Sequence, residues 1–341
     1  MTVLSELERM YGGLLGMHTA PFVSIVVPIY NGASFLSECI QSALSQSYEN
    51  FEIVALDNAS TDETREILNG FASKDRRIRI LTNIETVPVI QNWNRAISAA
   101  APESRYIKIL HADDTLYPYC LEKMLGVANR NPAVGVVGCL RHRGSNLECR
   151  GLPTTQEAFD GRLVARAFLR QEKFVLAPSS SLFRANLVRE QRPFYPEDLL
   201  HADIAACLAI LFRSDFGFVH EALTFSRIHS HSITAKIAEE RQTLAHEWLT
   251  LLRQFGPRFM PTKEVDQLTH RHLLRCHRML VRAFVTGRDR SFLEFHLDGM
   301  RTAGFSPRMT DYARAIALDA AAMIRHPRKL FRFLQQHDLP S

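Results

Sequence analysis

The sequence predicts an α/β protein in which an open, mostly parallel β-sheet has helices on both faces and is followed by a C-terminal helical subdomain. In the first 140 residues, apolar β-branched stretches alternate with helical patterns. Strands that alternate with helices of about ten to fifteen residues indicate a parallel sheet covered on both sides. The first stretch, residues 22–27, is almost continuously apolar, as expected of a strand buried on both faces. From residue 237 the pattern is helical and rich in arginine.

The individual elements follow from hydrophobic periodicity and from the polar residues that interrupt it. Strands are predicted at residues 22–27, 51–56, 77–81, from Tyr106, and at 134–138. Helices are predicted at residues 33–45, 62–71, 89–100 and 118–130. Ser60 or Thr61 is the expected N-cap of the second helix. Residues 1–20 form a short amphipathic helical lead in this prediction, with no chemistry assigned to it.

Polar side chains follow three of the predicted strands at the point where each strand ends. These are the pairs Tyr30–Asn31, Asp57–Asn58 and Asp113–Asp114. Ligands of open α/β sheets bind outside the carboxyl ends of the strands, so one rim would hold an aromatic ring, amides and carboxylates. The alternative is that each pair is ordinary turn chemistry. The absence of GxGxxG and GxxxxGK[ST] motifs from the sequence disfavours a dinucleotide site and a P-loop.

Asp113 and Asp114 are the pair around which the functional argument is built. They follow the strand segment RYIKIL and precede a turn at Pro118. Two adjacent carboxylates repel each other, and a divalent cation with oxygen ligands is the simplest compensation. The alternative is an N-cap for the helix at 118–130, because Asp and Thr both cap well.

Composition and cysteine usage limit the class of protein. The 341 residues are 46% hydrophobic and 23% charged, which suits one large or two moderate globular domains. The six cysteines show no CxxC spacing, so a zinc ribbon or a dithiol motif is not indicated. The sequence contains neither an apolar run of about 18 residues nor a signal-peptide pattern. A cytoplasmic protein with reduced thiols is therefore expected.

The net charge of +5 is distributed unevenly along the chain. Residues 236–341 contain 18 basic and 11 acidic residues, so the excess positive charge lies in the C-terminal region. The stretch 325–336 also mixes basic residues with leucine and phenylalanine. It is interpreted either as a peripheral contact with an anionic membrane surface or as a solvated basic face of a helical subdomain. Nucleic-acid binding is not favoured, because no recognised binding module accompanies the charge.

Four ordered segments resemble the nucleotide-binding half of family-2 glycosyltransferases of the GT-A fold. They are VSIVVPIYNG (23–32), VALDNASTDET (54–64), QNWNRAISAA (91–100) and YIKILHADD (106–114). A weaker resemblance continues through residues 177–184, 199–205 and 225–234 and ends before the last hundred residues. It implies a catalytic domain at 21–235, divided into a nucleotide-binding half (21–140) and an acceptor half (141–235). Residues 236–341 are then a basic helical region.

The resemblance implies a nucleotide-diphosphosugar donor, with a UDP-sugar favoured, and a Mg²⁺ or Mn²⁺ ion. It also implies inversion at the anomeric carbon and a glycan or lipid-linked acceptor, as in polysaccharide or surface-glycan assembly. Two positions depart from the family pattern. The metal motif has shrunk to Asp113–Asp114, with no acid at His111 or Ala112, and Asn58 stands where some members have a base-reading aspartate.

The resemblance also assigns roles to single residues. Tyr30 would stack on the base, and Asp57 or Asn58 would read the base or the ribose. Asp113 would face the ribose or the metal. The metal ligands would be Asp114 and His229, and the catalytic base would be Asp203. The other positions implied to bind the donor are Pro28, Asn31, Gln91, Asn94 and Arg227.

The chemistry of sugar transfer needs such groups independently of the resemblance. A leaving diphosphate gathers negative charge that a divalent cation can neutralise, and a carboxylate can accept the proton of the attacking hydroxyl. From the residues alone, Asp203 is also explained as a carboxylate at a helix N-terminus, and Glu197 and Asp198 are substitute bases. His229 is equally explained as a solvated loop histidine. Arg227 would share a face with His229 and His231 in an extended segment and suits a phosphate.

Two other functions remain open on the sequence. A sugar-phosphate nucleotidyltransferase would need a glycine-rich basic loop after the first strand, and PIYNGASF (28–35) is poor in both. A non-catalytic module that binds a nucleotide-sugar without turnover would keep the same pocket. Measured transfer or hydrolysis of the donor would separate this module from an enzyme.

Overall fold

The computed structural model of the chain describes residues 20–172, 180–229 and 240–325. The predicted helical lead, apart from its last residue, and residues 326–336 of the basic stretch lie outside the described residues. The same holds for Ser179 and His231.

One mixed sheet of ten strands forms the centre of the described part of the chain. The strands are β1 (Val23–Ile29), β2 (Phe51–Asp57), β3 (Ile78–Thr82), β4 (Tyr106–Ile109), β5 (Thr115–Leu116), β6 (Val134–Arg143), β7 (Asn146–Glu148), β8 (Ala158–Phe159), β9 (Ser181–Arg184) and β10 (Asp215–Ser226). Their order is β3-β2-β1-β4-β9-β6-β10-β5, with β7 beside β6 and β8 beside β10. The predicted fold class, an open sheet with a C-terminal helical part, is confirmed.

The first four strands are parallel, as the alternation of strands and helices predicts. Val23 of β1 lies opposite Phe51 of β2 on one side and opposite Tyr106 of β4 on the other. All seven residues of β1 are buried, which explains the nearly continuous apolar run. Because these strands run in the same direction, the segments that follow β1, β2 and β4 leave the sheet at one edge.

The second half of the sheet contains antiparallel pairs that the sequence analysis does not predict. Strand β9 lies between β4 and β6 and is antiparallel to both. The long strand β10 is parallel to β6 and ends beside β5, where Phe225 pairs with Thr115. This last pairing brings the segment after β10 to the two aspartates that precede β5.

Eleven helices are present in the described ranges. They are α1 (Ala33–Leu44), α2 (Thr64–Ala72), α3 (Val89–Ser98), α4 (Cys120–Arg130), α5 (Gly161–Leu169), α6 (Ala185–Glu190), α7 (Ala202–Leu211), α8 (Leu244–Phe259), α9 (Thr262–Val285), α10 (Arg290–Thr302) and α11 (Met309–Arg325). No helix in these ranges combines the length and the apolar character needed to cross a bilayer.

The predicted cap of the second helix is wrong, and the alternative capping interpretation of the acid pair is not supported. Helix α2 begins at Thr64 and has no side-chain cap from Ser60 or Thr61. The Asp62 carboxylate accepts hydrogen bonds from the backbone N–H groups of both Thr64 and Ala33, so one aspartate holds the starts of two helices. Helix α4 begins at Cys120 without a side-chain cap, which removes the capping interpretation of Asp113 and Asp114.

The C-terminal helices share the core of the sheet rather than forming a separate one. Trp248, Leu251 and Leu252 of α8 belong to the same buried cluster as Ile107 of β4 and Phe183 of β9. A smaller cluster joins α8, α9 and α10 to one another. Helix α8 therefore packs against the sheet, and α9 joins the same buried cluster through Val265.

Two helical glycines predict opposite effects on stability. A β-carbon at Gly70 in α2 would meet nothing within 4 Å, so Gly70→Ala should raise the free energy of unfolding by about 0.5–1 kcal/mol. A β-carbon at Gly299 in α10 would overlap the buried ring of His246, and overpacking costs about 1–3 kcal/mol. Gly299→Ala should therefore lower the stability in urea unfolding. Equal shifts for both variants would contradict the packing of α10 against α8.

Candidate active site

The loops that follow β1 and β2 are tied together at the edge of the sheet. Asn31 has a positive φ of 48°, its N–H donates to Ser60 Oγ at 2.9 Å, and its Oδ1 accepts from the Thr61 N–H at 2.9 Å. Tyr30, just before it, is 54% exposed. The Tyr30 ring therefore stands on a fixed loop with its surface open to a planar ligand.

Asp57 is the last residue of β2 and Asn58 follows it; both are buried, but their side chains are used differently. Asp57 Oδ1 accepts from the Ser60 N–H at 3.0 Å. The Asn58 amide exchanges two hydrogen bonds with the backbone of Val87, at 2.9 and 3.0 Å, and also accepts from Asn83 at 2.7 Å. The Asn58 oxygen is thus already paired twice and holds the loop that leads into α3.

Three further residues implied to bind the donor connect parts of the protein. Pro28 is buried in β1 opposite Leu56. The Asn94 amide makes two 2.8 Å hydrogen bonds to the backbone N–H and C=O of Tyr195. Gln91 donates to the Glu197 carboxylate at 3.1 Å. Asn94 and Gln91 therefore join α3 to the segment at 194–198.

The pairing of β10 with β5 collects four of the predicted site residues. Asp114 is 5% exposed, and its carboxylate accepts from Ser226 Oγ at 3.0 Å and from the Arg227 N–H at 3.2 Å. The Asp113 carboxylate is more exposed and lies 3.0 Å from His229 Nε2. The sequence predicts these residues as one site, although more than 110 positions separate the two aspartates from Arg227 and His229.

Arg227 is held between α1 and the acid pair. Its guanidinium donates to Glu38 at 2.5 Å and to the backbone oxygen of Asp113 at 3.3 Å. The same group lies 4.7 Å from the centre of the Phe35 ring, and His229 packs on that ring at 4.8 Å. Because Arg227 contacts the backbone rather than the carboxylate of Asp113, it neutralises the acid pair only in part.

His111 is a site residue that the sequence analysis does not select. One ligand atom each of His111, Asp113 and Asp114 lie within 4.8 Å of one another. The buried Nε2 of His111 has no hydrogen-bond partner among the described residues, and its ring stacks on Trp93 at 4.8 Å. Two carboxylates and one imidazole fit a divalent cation, and the imidazole suits Mn²⁺ better than Mg²⁺.

His229, the metal ligand predicted in the acceptor half of the chain, lies next to Asp113. It contacts the Asp113 carboxylate and is not one of the three grouped residues. Its buried Nδ1 also has no partner in the described part of the chain. The sequence contains a signal for His111, because this residue stands at a position where the family's metal motif would have an acid. The sequence analysis considers only carboxylates as metal ligands at that position.

Asp203 is the second residue of α7, and His201 is its N-cap. Burial raises the pKa of Asp203, while His201 and His111 oppose that rise. The Asp203 residue nevertheless keeps some solvent-accessible surface. The Tyr195 hydroxyl is buried without a partner among the described residues, and its pKa is raised by burial and by the Asp203 charge. Asp203 is thus a desolvated carboxylate on the His111 side of the site.

A buried carboxylate of the C-terminal region fixes the start of α7. Glu247 of α8 accepts from the N–H groups of Leu200 and His201 at 3.0 and 2.9 Å. His201 Nε2 also lies 3.1 Å from Thr243 Oγ1. The C-terminal helices therefore position the backbone two residues before Asp203, a link that no local sequence pattern indicates.

An open mixed sheet with a carboxylate–imidazole group at the carboxyl edge of its parallel strands defines a protein of the GT-A class. Residues 24–192, about half of the chain, match the family model described as Glycosyl transferase family 2. The chain belongs to this family.

Comparisons with individual proteins agree with this assignment. The glycosyltransferase GlyG of Streptococcus pneumoniae is 36% identical over 116 residues, which are 34% of this chain and 38% of the relative. Three curated relatives are matched over 38%, 59% and 45% of their lengths, so this chain spans about half of them.

Two solved structures share the fold. TarS residues 1–349 of S. aureus, in complex with UDP-GlcNAc, align with a TM-score of 0.62 at 16% identity, covering 83% of this chain and 80% of that chain. The mannosyltransferase PcManGT of Pyrobaculum calidifontis, in complex with GDP-Man and Mn²⁺, aligns with a TM-score of 0.55 at 17% identity, covering 98% and 91%.

Proposed function

We propose that this protein transfers a sugar from a nucleotide-diphosphosugar to a hydroxyl group of an acceptor, with inversion at the anomeric carbon and with a divalent cation. The observation that carries the proposal is the grouping of His111, Asp113 and Asp114 at the edge of the sheet. Asp203 is near enough for its pKa to respond to His111. A cation site beside a desolvated carboxylate supplies the two kinds of group that sugar transfer requires.

Asp113, Asp114 and His111 would hold the cation, and Mn²⁺ suits this donor set better than Mg²⁺. When bound, the ion would take up negative charge from the leaving diphosphate. The protein orients these ligands through the hydrogen bonds from Ser226 and Arg227 to Asp114. We infer that His229 acts one step away from the cation, as an orienting partner of Asp113.

The donor would lie along the edge formed by the loops after β1 and β2. Tyr30 is exposed for stacking on the base, and Asp57 is the better placed of the β2 pair to reach a ribose hydroxyl. We assign Pro28, Asn58 and Asn94 to the support of this edge, because they are buried and the two amides are occupied. Asn31, Gln91 and Arg227 complete its polar border.

Asp203 would accept the proton of the acceptor hydroxyl as the new bond forms. A carboxylate with a raised pKa is a stronger base than an ordinary aspartate. Direct displacement with the base and the leaving group on opposite sides of the sugar inverts the anomeric carbon. The Glu247 contacts hold α7 so that this carboxylate keeps its direction.

The class of donor is supported by the fold neighbours, which carry UDP-GlcNAc and GDP-Man. We favour a UDP-sugar, a glycan or lipid-linked acceptor, and a place in polysaccharide or surface-glycan assembly on the cytoplasmic side of a membrane. The basic C-terminal region supports a peripheral contact with that membrane.

A thermal-shift panel of nucleotide-diphosphosugars tests the proposal. With Mn²⁺ present, one class of donor should stabilise the protein, by about 2.7 kcal/mol at a hundredfold excess over Kd, and EDTA should remove the shift. Failure of every donor to shift the unfolding temperature would contradict the proposal.

The two alternative functions give different products. A nucleotidyltransferase would release pyrophosphate from a nucleoside triphosphate and a sugar phosphate. A binding module would show the shift but release no nucleoside diphosphate with any acceptor. Release of nucleoside diphosphate from the stabilising donor excludes both.

A further inference from the structure

An open cavity of about 470 Å³ lies among the C-terminal helices, and none of its lining residues is assigned to the donor, the cation or the catalytic base. Four of the residues that line it are arginines: Arg275, Arg278, Arg282 and Arg288. The other lining residues are Gln242, Met279, Ala283, Thr286 and Phe292. Its size is within the range of small-molecule sites, about 300–1,000 Å³.

The spacing in α9 explains why the arginines meet in one place. Arg275, Arg278 and Arg282 are three and four positions apart, and residues at this spacing lie on one face of a helix. Arg288 follows in the turn between α9 and α10. Four of the 18 basic residues of the C-terminal region therefore line one cavity.

The described contacts of two of these arginines do not cancel their charge. Arg275 donates to the side-chain oxygen of Gln171, and Arg288 donates to the backbone oxygen of Glu240. The Arg288 guanidinium also packs 4.5 Å from the centre of the Phe292 ring, which fixes its orientation. Asp289 is adjacent, but its carboxylate accepts from the Phe292 N–H at 2.7 Å and caps α10.

None of the described residues that line the cavity is acidic. The described hydrogen bonds of Arg275 and Arg288 go to uncharged oxygens, so these two guanidinium groups raise the positive potential at the cavity, which attracts anions. Guanidinium groups bind phosphate through paired hydrogen bonds in a fixed fork. Phosphate groups therefore match both the charge and the geometry of this site better than carboxylates on flexible chains.

We propose that this arginine cavity binds a phosphate-bearing anion, either a free phosphate or diphosphate compound or the headgroup of an anionic lipid. Arg275, Arg278 and Arg282 come from α9, and Arg288 comes from the turn that follows it. The site goes beyond the proposed function, because it involves none of the residues assigned to the donor or the cation.

Calorimetric titration of the full chain with inorganic pyrophosphate in EDTA tests the site without the cation centre. Arg282→Gln combined with Arg288→Gln should weaken binding at least tenfold. Arg290→Gln combined with Arg301→Gln removes the same charge from α10 outside the cavity, where these side chains pair with Glu294 and Asp298. This control should bind within twofold of the unmodified chain.

A second double variant, Arg278→Gln with Arg282→Gln, repeats the test if the first one fails to fold. Co-sedimentation with phosphatidylglycerol vesicles, against phosphatidylcholine vesicles, separates the two sources of phosphate. Loss of vesicle binding in the cavity variants assigns the site to a lipid headgroup, and loss of pyrophosphate binding alone assigns it to a free phosphate compound. No binding in either arm, or equal binding by the cavity and control variants, overturns the proposal.

Discussion

Replacing Asp203 with asparagine should lower kcat by about 10²–10⁴-fold, the usual contribution of acid–base assistance. Asparagine keeps the shape of the side chain but cannot accept the proton of the acceptor hydroxyl. The dissociation constant of the donor should stay within about twofold, because the proposed donor contacts come from other elements. The measurement is kcat with saturating donor, together with a calorimetric titration of the donor.

Asp198→Asn is the matched control for this variant. Asp198 lies five positions earlier, is exposed, and is one of the substitute bases that the sequence allows. Its replacement should leave kcat almost unchanged. If Asp198→Asn lost activity and Asp203→Asn kept it, the assignment of the base would be wrong, and so it would be if Asp203→Asn weakened donor binding as much as turnover.

The raised pKa of Asp203 predicts two further results, one for the pH dependence of kcat/KM and one for the unfolding temperature. Burial raises this pKa, so kcat/KM should fall as the pH drops through a value above that of an ordinary aspartate. The same shift means that the folded state prefers the protonated carboxyl, so ionisation destabilises the fold at neutral pH. Asp203→Asn should therefore unfold at the same or a higher temperature than the unmodified protein.

The first half of the sheet could be predicted because its information is local. The strands β1 and β2 are buried on both faces, so their apolar runs are visible in the sequence. The edge residues Tyr30, Asp57 and Asp113 follow from where such runs end. Strand β9 could not be placed in the same way, because its four residues pair with β4 and β6 only through tertiary contacts.

The direction of individual side chains was less predictable than their position in the chain. Asn58 and Asn94 occupy positions that suit a ligand, yet their amides pair with the backbone of Val87 and Tyr195. Glu247 was not predicted at all, because its partners Leu200 and His201 lie more than 40 positions away and are backbone groups. Backbone donors leave no mark on the amino-acid pattern.

Replacing Asp114 with asparagine should weaken Mn²⁺ binding by at least about 100-fold and reduce transfer in the same proportion at limiting metal. The carboxylate is both a proposed ligand and the acceptor for two hydrogen bonds, at 3.0 and 3.2 Å. Asparagine is nearly the same size but has no charge, so the main loss is electrostatic. A titration of Mn²⁺ followed by calorimetry or by electron paramagnetic resonance gives the affinity directly.

Ser226→Ala provides a graded comparison for the same site. Ser226 Oγ donates to Asp114 Oδ2 and would not touch the cation itself, and removal of such an orienting partner typically costs about 10–100-fold in metal affinity. The effect of Ser226→Ala should therefore lie between that of the unmodified protein and that of Asp114→Asn. If Asp114→Asn bound Mn²⁺ as tightly as the unmodified protein, the cation could not sit on the acid pair. The hydrogen bonds to Asp114 would then serve only to hold β10 against the loop that precedes β5.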